Sequence, residues 1–538
     1  MHKKWWTLLG VCGGTFMLLL DTTIVYVVMP PVQEDLKASF SDLQWVIDGY
    51  ALALAALLLT SGTLADRFGR RRLYAIGVGI FTVGSLLCGL AVSPLMLILS
   101  RVLQGVGGSV MFATGLALLA GSFQGKERGM AFGVWGMVTG LASAIGPVAG
   151  GVIANGIDWR GIFLVNVPIG LAVAAIVALR VDESKAPFVR KLDWPGFVLF
   201  TTGLTSLIYG LIRVGETSWT ENTALTALLG GTALLIAFLV VEARSEQPMF
   251  DLSLFRIPTF VGGSIAAFAM NGSLFAMFLF LAIHFQEVLG YSSMEAGLRL
   301  LTASVSMLFA SIIAGKLSSK IQPRYLIGVG LLLVGAALVW MRGVSATTEW
   351  THFIPGFVLG GIGAGLVNPP LASTAVGVVD LSRSGMASGV NGTFRQLGVS
   401  ASVAVLGSVF ASIITGKLSD GLAGVPELAD RSEGLAALVR AGEIDAAVAS
   451  TPEKYHGTVE QLAVAGFSDG INTLVTIAAV LALAGGLLAL ALIRPKDFKP
   501  MPQPPKPAED TEAAKDTEAA KESAPADGPR QSGDPVKA

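Results

Sequence analysis

The chain is predicted to be an all-α polytopic membrane protein, built as two six-helix bundles with two further membrane-crossing helices inserted between them. Three observations predict it. Of 538 residues, 53% are hydrophobic and only 14% charged, against roughly a quarter charged in soluble domains. Apolar runs of about 20 residues, enough to cross a bilayer, recur along the chain between short polar breaks. Finally, the octapeptide Gly129-Met-Ala-Phe-Gly-Val-Trp-Gly136 returns as Gly385-Met-Ala-Ser-Gly-Val-Asn-Gly392 with six of eight letters unchanged.

Fourteen runs qualify. The first, 5–29, follows Lys3 and Lys4, but it is too long for a signal peptide and no small-residue cleavage site follows. Runs 43–64 and 73–92 flank the basic turn Gly62 to Arg72, and run 95–119 carries Arg101 and Gly105-Val-Gly-Gly. Run 131–154 is opened by the first octapeptide, and run 161–180 follows Trp159. Runs 193–213 and 223–243 have no partner in the repeat and are read as the insertion. Runs 260–283, 296–315, 324–342, 351–375, 387–414 and 468–493 echo the first six in order. Gly315-Lys-Leu-Ser-Ser-Lys-Ile answers Gly62-Thr-Leu-Ala-Asp-Arg-Phe, and Gly361-Ile-Gly-Ala answers Gly105-Val-Gly-Gly. Two bundles of like direction, related by an axis along the membrane normal with a site between them near the midplane, are a transporter architecture.

The expected domains are therefore 1–180, 181–258, 259–498 with an outer loop at 415–467, and a tail at 499–538. Within the loop, 426–450 has helical periodicity and is expected to form a small cap packed on the outer face, with partner binding as the alternative. The tail is rich in Pro, Ala, Lys and Glu and lacks the apolar content for a core, so disorder is expected. Short loops rich in Lys and Arg stay on the cytoplasmic side. With the N-terminus inside, Arg67, Arg70, Arg71, Arg72, Lys126, Arg128, Arg256, Lys316 and Arg383 are cytoplasmic, and both termini of this multi-pass chain are placed there.

Other functions are disfavoured. His2, His284, His352 and His456 are scattered, so no catalytic or metal constellation is indicated, and no Gly-x-x-x-x-Gly-Lys-Ser/Thr loop is present. Cys12 and Cys88 both fall inside spans and are read as packing residues. No cofactor is implied, and a net charge of −1 without a basic block gives no sign of nucleic acid. The partner expected on composition is the lipid bilayer, met by a monomer.

Asp21 is the clearest candidate, because an ionisable group deep in an apolar span is costly and faces a cavity or a partner. Arg101 is its natural counterpart at the same depth. Two readings stand: a proton-coupling pair, whose carboxylate balances desolvation against a nearby cation, or a buried structural pair. Asp48 and Asp469, near outer span ends, are read as solvated. In the fifth span, Gly140 to Gly151 (GLASAIGPVAGG) combines small residues for close packing with Pro147, which bends a helix.

These motifs together resemble the major facilitator superfamily, in its fourteen-span drug:proton antiporter branch. The carriers are Leu20-Asp-Thr-Thr-Ile-Val, Gly62-Thr-Leu-Ala-Asp-Arg-Phe-Gly-Arg-Arg-Arg, Arg101-Val-Leu-Gln-Gly-Val-Gly, the Gly140–Gly151 stretch and Trp159-Arg-Gly-Ile-Phe-Leu-Val-Asn-Val-Pro, over about 8–494. The resemblance implies the major facilitator fold and a gating latch in the loop Gly62, Asp66, Arg67, Gly69, Arg70 and Arg71, with topology enforcement alone as the alternative. Ser319 stands at the Asp66 place of the second half, so any latch is asymmetric. In the family, the pattern holding Gly140, Gly146, Pro147, Gly150 and Gly151 accompanies antiporters. It implies proton-coupled efflux of amphiphilic drugs, antibiotics or a secondary metabolite across the cell membrane; a symporter or an uncoupled channel or sensor relative is the alternative. Candidates for the substrate cavity are Tyr26, Gln104, Met270, Asn271, Phe275, Asn368, Arg395 and Gln396, with Asn271 and Asn368 equally suited to helix-to-helix hydrogen bonds. Arg395 is either functional or snorkels to the interface, and Tyr26 stands where family members often carry asparagine. The tenth span holds no carboxylate, which favours monovalent, neutral or zwitterionic amphiphiles over multivalent cations.

Overall fold

The computed structural model describes residues 3–156, 158–184, 193–216, 219–245, 248, 250–429, 431–440 and 443–499; the tail expected to be disordered lies outside the described residues beyond Lys499. No strand occurs among the described residues. The first six long helices are α1 (Lys3–Ile24), α2 (Phe40–Phe68), α3 (Arg70–Gly89), α4 (Pro94–Ser122), α5 (Gly125–Gly156) and α6 (Gly161–Leu164 continued by Asn166–Arg180). Then come α7 (Trp194–Glu216) and α8 (Asn222–Arg244). The last six are α9 (Pro258–Met270 continued by Ala276–Glu287), α10 (Ser293–Leu317), α11 (Pro323–Trp340), α12 (Ile354–Gly377), α13 (Ser384–Leu422) and α14 (His456–Leu492). Thirteen of these are long and apolar enough to cross a membrane, and α5, 32 residues long, stands where the remaining predicted span falls.

The internal repeat reappears as packing. In the first half α1 packs on α5 and α6, α2 on α4, and α3 on α4 and α6; in the second, α9 packs on α13 and α14, α10 on α12, and α11 on α12 and α14. Even the helix starts match. Ser39 and Asp42 form a capping box that opens α2, and Ser292 and Glu295 form one that opens α10, each satisfying amide donors that a helix N-terminus leaves unpaired. The inserted pair α7 and α8 pack on each other, and α7 also lies along α2 and α13, with Trp45 stacked on Tyr209 at 5.9 Å. Leu225, Leu229 and Ile236 of α8 stay exposed, as suits a helix whose outer face meets lipid.

The halves meet through α2 against α13 and α5 against α10, and here the repeated octapeptide finds its purpose. A methyl group on Gly62 would lie 2.1 Å from the Gly385 carbonyl oxygen, and one on Gly133 would lie 2.8 Å from the Cα of Gly315. The octapeptide of each half thus packs against the loop motif of the other, backbone on backbone. Only a residue without Cβ permits that approach.

Two elements depart from expectation. The predicted span 260–283 is one path but not one regular helix, for Asn271–Phe275 forms a π turn. The extra residue widens the helix where Gly272 lies against α13, its virtual Cβ 2.4 Å from the Ser402 hydroxyl. The predicted outer loop 415–467 is largely helix: α13 runs on to Leu422 and α14 begins at His456. Phe410, Ile414, Leu418 and Leu422 on one helix and Val459, Ala463, Phe467 and Ile471 on the other are all buried, so one four-residue apolar stripe continues past the lipid-crossing segment. Short helices at Pro426–Ala429, Ser432–Arg440 and Ile444–Ala449 close over its end, burying Leu435, Val439 and Ile444.

Candidate functional site

The Asp21 carboxylate is fully buried, 0% exposed, and α1, α3, α4 and α6 converge on it. Arg101 Nη1 donates to its Oδ2 at 2.5 Å, while Gln104 Nε2 and Asn166 Nδ2 donate to Oδ1 at 2.9 and 3.0 Å. Arg101 is itself held in place: Nε donates to the Val46 carbonyl at 3.2 Å, Nη1 to Gln104 Oε1 at 2.8 Å, and the guanidinium lies 4.2 Å from the Tyr50 ring centroid. Gln104 Nε2 also donates to Ser85 Oγ at 2.5 Å. The carboxylate is an acceptor of three donors inside low-dielectric protein, where such bonds are strong and their loss costly.

The predicted pair therefore touches, and Gln104, a candidate for the substrate cavity, belongs to this network. Asn166, Ser85 and Tyr50 were not foreseen. Asn166 and Ser85 are polar residues inside apolar spans, and asking which of them share the depth of Asp21 would have raised them. Tyr50 gives no such signal.

A second cluster lies on the face that carries the basic loops. Asp66, at the end of α2, accepts from Arg70 Nε at 3.0 Å and Nη2 at 2.7 Å, and from the backbone N–H groups of Gly385 and Met386, both at 2.9 Å. It thus ties the first half to the N-terminus of α13, where unpaired amides and the helix dipole favour an anion. Arg70 also donates to the Leu381 carbonyl. The chain can fold back here because Gly69 sits at φ 109°, where a Cβ would meet the Glu183 carboxylate at 2.7 Å; Glu183 accepts from the amides of Arg71 and Arg72 at 3.1 and 3.2 Å. Of the arginines named for the loop, Arg70 is the one that pairs with Asp66, whereas Arg67 lies over the Phe68 ring at 5.1 Å. Arg383 pairs with Asp251 nearby. Lys3 pairs with Asp182 at 2.7 Å and Lys499 with Asp380 at 2.8 Å, so both ends of the described chain reach this same face. The hydrogen bond and charge of Lys499 hold the Asp380 carboxyl below its ordinary range. Among the described residues, the hydroxyl of Ser319, the counterpart of Asp66, bonds within its own turn, to the Lys316 carbonyl at 2.9 Å.

A third cluster sits between the halves. Arg395 on α13 donates to Asn391 Oδ1 at 3.0 Å and to Asn368 Oδ1 at 2.9 Å. It is the twelfth residue of its helix, about 17 Å from the start at 1.5 Å per residue, and its bonds run sideways into the bundle instead of snorkelling to the interface. Asn368 approaches Met307 Sδ at 3.8 Å, and Met307 faces Gly140 of α5. Of the remaining candidates, Gly146 packs on Thr23 of α1 and Gly150 is buried. Met270 is buried, Asn271 bonds back to the Ala267 carbonyl at 2.8 Å, Phe275 packs edge-on to Phe278, and Gln396 is half-buried. The side chains of Tyr26 and Pro147, and the burial of Gly151, lie outside what is described. Asp469 pairs with Lys417 at 2.8 Å.

Residues 11–403 match the sequence model of the Major Facilitator Superfamily. The chain is 32% identical over 495 residues to the tetracenomycin C resistance and export protein of Streptomyces glaucescens, covering 91% of each. It is 37% identical over 411 residues to the cephamycin export protein CmcT of Amycolatopsis lactamdurans, covering 75% of this chain and 85% of that one. Its fold is similar to that of the human organic anion transporter MFSD10, with a TM-score of 0.62 at 13% identity over 90% of this chain and 99% of the other. Duplicated six-helix halves, a buried intramembrane carboxylate and a family match running through both halves lead to one placement: the chain belongs to the Major Facilitator Superfamily.

Proposed function

We propose that the protein exports small amphiphilic molecules, of the antibiotic or secondary-metabolite kind, across the cell membrane in exchange for protons. The observation that carries the proton part is the sealed carboxylate of Asp21; the relatives named for export and resistance support the direction. The basic-loop face is the cytoplasmic one, with both termini there, and residues 1–180 and 259–498 are the bodies that rock about the site, carrying 181–258 with them. A monomer suffices, because one chain supplies both halves.

The geometry suggests how exchange proceeds. In this conformation the Asp21 carboxyl is held by Arg101, Gln104 and Asn166, and Asp66 latches the cytoplasmic side. Protonation from outside removes the charge that Arg101 pairs with and loosens α1 against α4 and α6. That loosening is transmitted to α5, which packs on α1 at Gly146 and on the opposite half at Gly129 to Gly140. Release of the Asp66 bonds then lets the cytoplasmic side open, the substrate enters, and the proton leaves inward.

The test is substrate-triggered proton movement in proteoliposomes under an imposed pH gradient, screened over amphiphilic antibiotics and dyes, with wild type beside Asp21→Asn. Response in the wild type and none in the variant, with binding retained, supports exchange through Asp21. Equal responses would leave Asp21 a structural residue and put coupling elsewhere.

A further inference from the structure

Between the polar ends of α9 to α14, the second half holds no carboxylate deeper than Glu287, Glu295 and Asp469. It does hold one arginine near mid-membrane, Arg395. Its partners are the neutral amide oxygens of Asn391 and Asn368. Its Nη2 is buried and bonds nothing among the described residues. No ion pair among the described residues includes it. In the first half the fully buried carboxylate of Asp21 is already paired with Arg101. A guanidinium does not lose its proton inside protein, so Arg395 brings to the seam a positive charge that no ion pair among the described residues compensates. A buried charge without a counter-ion is strongly unfavourable.

The position of this charge matters as much as its sign. Gly392, one turn before Arg395, faces Leu58 and Phe112 of the first half, and Phe112 packs edge-on to Trp135 at 6.5 Å between centroids. Asn368 precedes Pro369, which meets Gly136 of α5. A cation with an unpaired donor and, one turn away along α13, an aromatic pair of the facing half together offer the chemistry that suits a planar aromatic amphiphile bearing one anionic group.

We infer that Arg395 is the binding residue for the anionic group of the exported substrate, so that the carrier selects aromatic carboxylates and ionised phenols over cations. This rests on the export reading and names its substrate class. Asn368 and Asn391 fix the guanidinium through Nη1 and Nε and leave Nη2 for the ligand, with no competing acceptor bonded to it among the described residues.

Two xanthene dyes of like shape and opposite charge, fluorescein and rhodamine 123, provide the test on the full chain in lipid nanodiscs. Fluorescein is expected to bind more tightly than rhodamine 123, and Arg395→Gln to weaken it by about tenfold or more, the range for a hydrogen bond to a charged group, while leaving rhodamine 123 unchanged. Asn368→Asp places the missing counter-ion beside Arg395; it is expected to keep the fold and abolish the preference for fluorescein, and so serves even if Arg395→Gln does not fold. Fluorescein binding no tighter than rhodamine 123, or indifferent to Asn368→Asp, overturns the assignment. Dye efflux from proteoliposomes separates this from the export reading. Transport of rhodamine 123 alone would sink the anion assignment and leave export standing. Fluorescein bound through Arg395 but never moved by a pH gradient would keep the site and sink coupled export.

Discussion

Arg101 and Asp21 are both sealed from solvent, so removing one partner strands the other. Arg101→Ala is expected to cost about 3–5 kcal/mol, the usual penalty for an uncompensated buried charge, and to lower the thermal midpoint of the detergent-solubilised protein. Adding Asp21→Asn should restore much of that loss, because an amide in the same place needs no cation; a double variant no more stable than Arg101→Ala would argue against a charge-driven penalty. Asp21 and Arg101 were legible because an ionisable residue in an apolar run is conspicuous. Which atoms meet was not legible, since it depends on the rotation of four helices about their axes. The same limit hid the choice of Arg70 over Arg67: the fold-back at Gly69, with its φ of 109°, decides which guanidinium reaches Asp66.

Among the elements, α2 and α13 approach closely enough that a single methyl group is excluded. Gly62→Val is expected to keep the fold of each bundle yet hold the basic-loop side open, seen as increased labelling of a cysteine placed at Leu58 and loss of transport. Unchanged labelling would mean that the seam has slack. Gly69→Ala should destabilise by about 1–3 kcal/mol through strain in the positive-φ region alone, with the Glu183 clash adding to it. Membrane spans were legible from apolar length, whereas the ends of α13 and α14 were not. A hydropathy reading stops where the apolar run ends, but the Ile414, Leu418, Leu422 stripe stays buried beyond it. The π turn at Asn271 was likewise invisible, because it answers to Ser402 and Gly398 of α13, distant in sequence.

Across the whole molecule the two halves repeat each other in packing, capping and seam glycines, yet only the first carries a latch carboxylate. Ser319→Asp would supply the second, reaching toward the start of α5 near Gly129. It is expected to stabilise this closed conformation by about 0.3–1 kcal/mol, the worth of a carboxylate at a helix N-terminus, raising the thermal midpoint and slowing transport turnover. Faster turnover would show that closing, and not opening, limits the cycle. The duplicated architecture was legible from one octapeptide and two fainter echoes, while the asymmetry could be read only as a missing letter at Ser319. The long reach of α13 has a further mechanical meaning. At 39 residues it extends about 58 Å against a hydrocarbon core of about 30 Å, so the small helical cap rides at the tip of a lever anchored near mid-membrane by Arg395. A tilt of about 10° at that fulcrum sweeps the tip roughly 7 Å. The far end of the molecule is a pointer that magnifies angstrom-scale motions at the centre, and a spectroscopic label on the cap would read out the carrier's stroke.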